Sequence, residues 1–287
     1  MIRRLALAAA FLVTLGVVGF TGAHLIAAIE RPTTTTMYSM KVGHLTRQYE
    51  VIAPTATLPK SAPIIVMLQG AAVVTSQEIT RDQMIPYVVA DKAEIVYPVA
   101  IKESWNAIGC CDDAAKLNID DVGFIKALVP KLDPGHVRPI YIVGYSVGGR
   151  LAYRLACTDP GLFDGMAAVK SDPMPGCVIT TPMDMIVFSA KDDKYVPYLP
   201  GEKGFETPPA TVQIARLQKD MGCSGPPAQV SHHQMTLSTW SCADGKTLQW
   251  ALYPTGAHDF PDAKDGASAN QLIYSFITKT PLAPVPK

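Results

Sequence analysis

A chain of 287 residues with 48% hydrophobic composition can bury one large core, and its length alone also allows two domains. Its 25 basic and 25 acidic residues cancel to a formal charge of zero, so no basic field predicts nucleic acid and no acidic field predicts a cationic partner. Small or neutral substrates suit such a chain better, and we expect a monomer.

The first segment, 1–30, carries Arg3 and Arg4 and then an uncharged, mainly apolar run from Leu5 to Ile29, interrupted by Thr14, Thr21 and His24. This predicts export. Thr21-Gly22-Ala23 is a tolerable cleavage site for a signal peptide, and the run is also long enough to stay as a membrane anchor, the only membrane contact expected. Either way the arginines favour the cytoplasmic side, which puts the rest of the chain in an extracellular or periplasmic, cell-envelope setting. Residues 31–38, with Pro32 to Thr36, read as a linker, and residues 39–287 as one domain.

In chain order, the pattern predicts a hairpin around 37–53 and strands near 63–68, 93–97, 140–144, 184–188 and 247–252. Helices fall between them. Val122, Ile125, Leu128, Val129 and Leu132 form an apolar face behind an Asp120 or Asp121 cap. Val212, Ala215 and Leu217 form another before Gly222, and Leu272, Ile273, Phe276 and Ile277 suggest a final helix. Alternating strand and helix implies an α/β class with a mainly parallel central sheet and helices on both faces, hence an α/β-hydrolase architecture.

The decisive segment is Gly144-Tyr145-Ser146-Val147-Gly148-Gly149, between the β-branched run Ile140-Tyr141-Ile142-Val143 and a helical spacing of Leu151, Ala152, Leu155 and Ala156. Strand, sharp turn and helix around G-x-S-x-G lift a serine hydroxyl out of a sheet and set it near helix N-terminal amides, Val147 among them. Ser146 is the candidate nucleophile. In this architecture an acid and then a histidine follow the serine, so His24, His44 and His136 drop out. His258 stands in a Gly- and Pro-bearing loop just after the strand ending at Leu252, whereas His232 and His233 fall in a polar stretch between two cysteines. The acid is Asp192 or Asp193, directly after the buried run Met185-Ile186-Val187-Phe188. A histidine general base implies activity that rises through about pH 6 to 7.

Six cysteines, all in the exported part, favour disulfides. Cys223 with Cys242 is the preferred bridge, closing a polar, proline-containing excursion; Cys110 and Cys111 would then pair with Cys157 and Cys177 in an unassigned order. No metal site is expected, since neither the adjacent cysteines nor the adjacent histidines have ligand spacing.

These blocks resemble a secreted serine esterase family that includes polyhydroxybutyrate depolymerase-like and feruloyl esterase-like enzymes. Ser104-Trp105-Asn106-Ala107-Ile108-Gly109-Cys110-Cys111, then Asp120-Asp121-Val122-Gly123-Phe124-Ile125, look like that family's Trp-Asn, paired-cysteine and Asp-Asp-Val blocks. The resemblance covers roughly residues 40 to 280. Within it Asp193, three residues before Val196-Pro197-Tyr198, matches the catalytic aspartate and His258 the catalytic histidine. It also implies that the loop after the first central strand donates an oxyanion-hole amide, here at Gly70 or Ala71, beside that of Val147. Two departures stand out: Gln69 replaces the usual histidine of a His-Gly pair, and Asp259-Phe260-Pro261 replaces Thr-Trp-Pro. Gln69, Trp105 and Tyr145 are expected around the substrate pocket.

The function expected is an exported serine ester hydrolase acting on small or polymeric esters, with no metal or organic cofactor. Two alternatives share the fold: an exported acyltransferase on the same triad, and a catalytically silent secreted binding protein. The ester itself is not legible, since selectivity lives in loop shape.

Overall fold

The computed structural model describes residues 33–281 apart from 91, 108–111, 203, 205–206, 263 and 265. The expected signal or anchor, and Cys110 and Cys111, lie outside the described residues.

Ten strands form one sheet: β1 (Thr33–Val42), β2 (Leu45–Pro54), β3 (Ile64–Leu68), β4 (Glu94–Pro98), β5 (Ile140–Tyr145), β6 (Gly165–Val169), β7 (Asp184–Ala190), β8 (Ser224–His232), β9 (Met235–Ser241) and β10 (Thr247–Tyr253). Their order is β1-β2-β4-β3-β5-β6-β7-β10-β9-β8. The six central strands, β4 to β10 in that order, run parallel, and an antiparallel hairpin finishes each side. Helices α1 (Thr75–Asp82), α2 (Ile85–Val89), α3 (Asp112–Lys116), α4 (Asp121–Leu132), α5 (Val147–Thr158), α6 (Ala210–Asp220) and α7 (Ala269–Thr278) fill the crossovers.

Central strands buried on both faces need unbroken apolar runs, which is why Ile64–Leu68 and Ile140–Val143 carry no charged side chain. Their side chains alternate between two cores. Ile64, Val66, Ile140, Ile142 and Met185 face α4, α5 and α6, whereas Ile65, Met67, Val143, Ile186 and Phe188 face α2 and α7. The sheet with helices on both faces agrees with the expectation.

Several details differ from the sequence reading. The expected linker is strand from Thr33 onward, paired through Thr33↔Pro54, because its β-branched threonines suit an exposed edge. Strand β6 is an addition: Gly-Met-Ala-Ala-Val has little β-branching and is held by its neighbours β5 and β7. The polar stretch around His232 and His233 is the β8–β9 hairpin, whose Pro226 and Pro227 sit on the sheet's outermost strand, where a missing N–H is tolerated. On α6 the buried stripe is Ala210, Gln213, Ile214 and Leu217, while Val212 points outward, 43% exposed.

The cysteine pairing also needs correction. Cys223 and Cys242 are bonded as expected, but Cys157 is bonded to Cys177 rather than to Cys110 or Cys111. The chain leaving β6 passes the carboxyl end of α5 and brings those two Cα atoms to 5.5 Å. Replacing Cys223 and Cys242 together by alanine frees a loop with a sequence separation of 19 in the unfolded chain, with an expected loss of about 3 kcal/mol. Calorimetry should then show a Tm lower by roughly 5–10 °C; an unchanged Tm would mean the bridge adds nothing to stability.

Candidate active site

Ser146, Asp193 and His258 each sit past the carboxyl end of a parallel strand, the rim where open α/β sheets place their ligands. Ser146 follows β5 with φ 53° and ψ −118°, a strained conformation of the kind concentrated at active sites. The turn has room for no side chain at its flanks. A Cβ on Gly144 would lie 2.4 Å from the Gly148 carbonyl, and one on Gly148 would lie 2.3 Å from the Leu68 oxygen. The turn is tied down by the Ser146 N–H, which donates to the Val169 carbonyl at 2.9 Å, and by the Ser171 hydroxyl, which donates to the Ser146 carbonyl at 2.7 Å.

His258 Nε2 lies 2.9 Å from Ser146 Oγ, and its Nδ1 lies 2.9 Å from Asp193 Oδ2. Asp193 is 4% exposed, and its Oδ1 accepts the Tyr195 and Val196 backbone N–H groups at 2.8 and 3.0 Å. The neighbouring aspartate acts elsewhere, since Asp192 Oδ1 accepts the Ala257 N–H and braces the loop that carries the histidine. That loop is held further by Lys170 Nζ, which donates to the Ala257 carbonyl at 2.9 Å, and by the Tyr145 hydroxyl, which donates to the His258 carbonyl. Phe260 meets the Tyr145 ring edge-on at 5.9 Å. His232 and His233 sit instead at the β8–β9 turn at the sheet margin.

A cavity of about 540 Å³ opens over this group, lined by Ala71, Val73, Arg81, Tyr145, Ser146, Val147, Arg150, Lys170, Asp172, Tyr195, Val196 and His258. Tyr145 lines this cavity, as do Ala71 and Val147 from the two segments expected to donate oxyanion amides. Gln69 and Trp105 do not line it. Trp105 is fully buried and its Nε1 donates to the Gln69 carbonyl at 3.0 Å, while Gln69 turns inward and its Nε2 donates to the Val73 carbonyl. Both hold the shape of the loop Gln69-Gly70-Ala71 rather than touch a ligand. Gly70 allows this packing, since a Cβ there would meet the Tyr145 ring at 2.7 Å.

The Asp120-Asp121 pair serves the same scaffold. Asp120 Oδ1 caps α4 by accepting the Gly123 N–H at 2.8 Å. Asp121, fully buried, accepts from Arg47 and from the Asn106 backbone N–H, both at 2.7 Å, and so anchors the Trp105-Asn106 segment.

The charged wall of the cavity is not among the sequence expectations. Arg150 and Asp172 form a buried pair, Nη2 to Oδ1 at 2.8 Å; burial raises the Asp172 pKa and the Arg150 charge opposes that rise. Lys170 and Asp172 follow β6 as the aspartates follow β7, and recognising β6 would have pointed to them. Arg81 projects from α1, above the buried Glu78 and Asp82. Burial pushes the Glu78 pKa up to about 7 and the Asp82 pKa up to about 8; Asp82 accepts from the Tyr97 hydroxyl at 2.8 Å and the Met84 N–H at 2.9 Å. Among the described residues, no group of three or more His, Cys, Asp or Glu side chains is placed to hold a metal ion.

Raised carboxylate pKa values mean that the folded chain keeps protons the unfolded chain has already lost. Between about pH 4 and pH 8 stability therefore falls as pH rises. Tm should be lower at about pH 8.5 than at about pH 5.5, and the gap should shrink in Glu78→Gln/Asp82→Asn; an equal gap in that variant would locate the dependence elsewhere.

No family model matches the chain. A curated relative, "Putative esterase NocK" of Nocardia uniformis subsp. tsuyamanensis, is 30% identical over 190 residues, 62% of this chain and 53% of the relative. The chain thus spans about half the length of that curated relative. Among solved structures, an acetyl xylan esterase from Aspergillus awamori superposes with TM-score 0.60 at 12% identity, covering 84% of this chain and 99% of the other. A carboxylesterase from Mesorhizobium loti gives TM-score 0.52 at 15% identity, over 85% and 99%. With a mostly parallel sheet covered on both faces and neighbours of this kind, the chain has the α/β-hydrolase fold.

Proposed function

We propose that the chain is an exported serine carboxylic-ester hydrolase, of the kind represented by polyhydroxybutyrate depolymerase-like and feruloyl esterase-like enzymes. The observation that carries this reading is the unbroken run from Ser146 Oγ through His258 to Asp193, with both hydrogen bonds at 2.9 Å. Ser146 Oγ attacks the ester carbonyl carbon as His258 Nε2 takes its proton, and Asp193 holds the imidazole and stabilises the imidazolium. The negative oxygen of the tetrahedral intermediate falls to the amides of Val147 and of the Gly70–Ala71 segment. His258 then protonates the departing alkoxide, leaving an acyl-serine, and a water repeats the sequence to release the acid and free Ser146. The likeness to esterase structures and to an esterase-named relative supports this reading.

Export is part of the proposal. It rests on the basic-then-apolar start of the chain and on two disulfides, which persist in oxidising compartments. Among the described residues no helix is long and apolar enough to cross a membrane.

The test is turnover of 4-nitrophenyl butyrate together with labelling by a fluorophosphonate probe. Hydrolysis and labelling are expected; neither in folded protein would overturn the reading in favour of a silent binding protein. Product analysis with added alcohol separates hydrolysis from acyl transfer, and a predominance of transferred product over free acid would replace the hydrolase reading by the acyltransferase one.

A further inference from the structure

Chain-wide neutrality hides a local asymmetry at the cavity wall, where three cationic side chains and one carboxylate stand around Ser146. Two of the cations are engaged by fixed partners within the chain. Arg150 gives both Nε and Nη2 to Asp172 Oδ1, at 3.0 and 2.8 Å, and Lys170 holds the Ala257 carbonyl. The remaining Asp172 oxygen is itself buried and so is not presented to a ligand.

Arg81 differs. Its side chain is 30% exposed, and its Nη1 donates to the fully buried Glu78 Oε2 at 2.9 Å. The guanidinium lies over the Tyr145 ring, 4.8 Å from the centroid, and Tyr145 reaches on to the His258 carbonyl. The ring and the salt bridge hold the planar group in one orientation on the cavity wall that also presents Ser146. A fixed guanidinium with N–H groups to spare suits a carboxylate, which it can bind through two parallel hydrogen bonds. Burial favours the neutral form of Glu78 near neutral pH, so the counter-charge behind Arg81 is only partial.

Building on the serine esterase reading, we propose that Arg81 is a specificity-determining residue that selects esters bearing a carboxylate on their acyl or alcohol half.

Two matched pairs test it: mono(4-nitrophenyl) glutarate against 4-nitrophenyl butyrate for the acyl half, and 4-butyryloxybenzoate against its methyl ester for the alcohol half. The wild type should favour the anionic member of at least one pair by tenfold or more in kcat/KM, chiefly through KM. In Arg81→Gln that ratio should fall at least tenfold, and Arg81→Lys, which keeps the charge but not the fork, should fall between; thermal melts of both variants verify folding. Turnover of neutral esters by the wild type with no anionic preference, or a preference unchanged in Arg81→Gln, overturns the role of Arg81 and leaves the esterase reading intact. If the wild type neither turns over an ester nor labels, the esterase reading fails, and calorimetric binding of free glutarate decides the Arg81 site. Tighter binding to wild type than to Arg81→Gln supports the anion site, and equal or no binding removes it.

Discussion

Asp193→Asn should lower kcat by about 10⁴ and Ser146→Ala by on the order of 10⁶, with folding intact. The aspartate result follows from which atoms are already committed. Asp193 Oδ1 accepts two backbone N–H groups, from Tyr195 and Val196, and these can only donate. An asparagine therefore turns its oxygen toward them and puts its amide nitrogen where Oδ2 sits, 2.9 Å from His258 Nδ1, leaving only the shared Oδ1 position, 3.1 Å away, as an acceptor. The nearer contact opposes two donors and so favours the tautomer protonated on Nε2, which has no lone pair for the Ser146 hydroxyl. The alanine result removes the attacking atom itself. Steady-state turnover of 4-nitrophenyl butyrate, with circular dichroism to verify the fold, measures both; an Asp193→Asn enzyme within tenfold of wild type would remove Asp193 from the proposed triad.

Gly148→Ala is expected to be among the most damaging glycine-to-alanine changes at the described residues. Its Cβ would stand 2.3 Å from the Leu68 carbonyl oxygen and 2.5 Å from that of Gln69, both backbone atoms of the segment leading into the Gly70–Ala71 loop. No rotamer relieves a clash with backbone, so either α5 withdraws or the loop moves. Overpacking of this sort costs about 1–3 kcal/mol, and a backbone clash belongs at or above the upper end. Surviving protein should have a lower kcat, since the same movement misaims the proposed oxyanion donors, and an effect of about 10²-fold is expected for one lost donor. Calorimetry and kinetics on one preparation check both parts. A variant with wild-type Tm and kcat would show that the approach of α5 to β3 is looser than described.

Those positions also show what a sequence can carry. The glycines around Ser146 are legible because a strand-to-helix turn this tight admits nothing larger, and the constraint is local. Asp192 and Asp193 are not separable on local grounds: both follow β7, and only the backbone turn decides that one braces Ala257 and the other meets the imidazole. Trp105 reads as a pocket residue because an aromatic beside a catalytic loop can line it, yet its indole N–H serves the Gln69 carbonyl from behind. Strand β6 escapes a reading based on β-branching because burial keeps Met166 to Val169 extended. With β6 go Lys170 and Asp172. Arg81 is invisible for a different reason, since its approach to Tyr145 depends on how α1 crosses over the sheet.

The Cys157–Cys177 bond has a consequence beyond stability. Helix α5 starts at the residue after Ser146 and ends near Cys157, and Cys177 closes the same segment that opens with Lys170 and Asp172. A single covalent link thereby ties the helix that follows Ser146 to the strip of chain that supplies Lys170 and Asp172 to the charged wall. On the proposed esterase reading, mild thiol treatment is expected to loosen this segment and weaken discrimination between esters at reductant levels that leave the sheet folded.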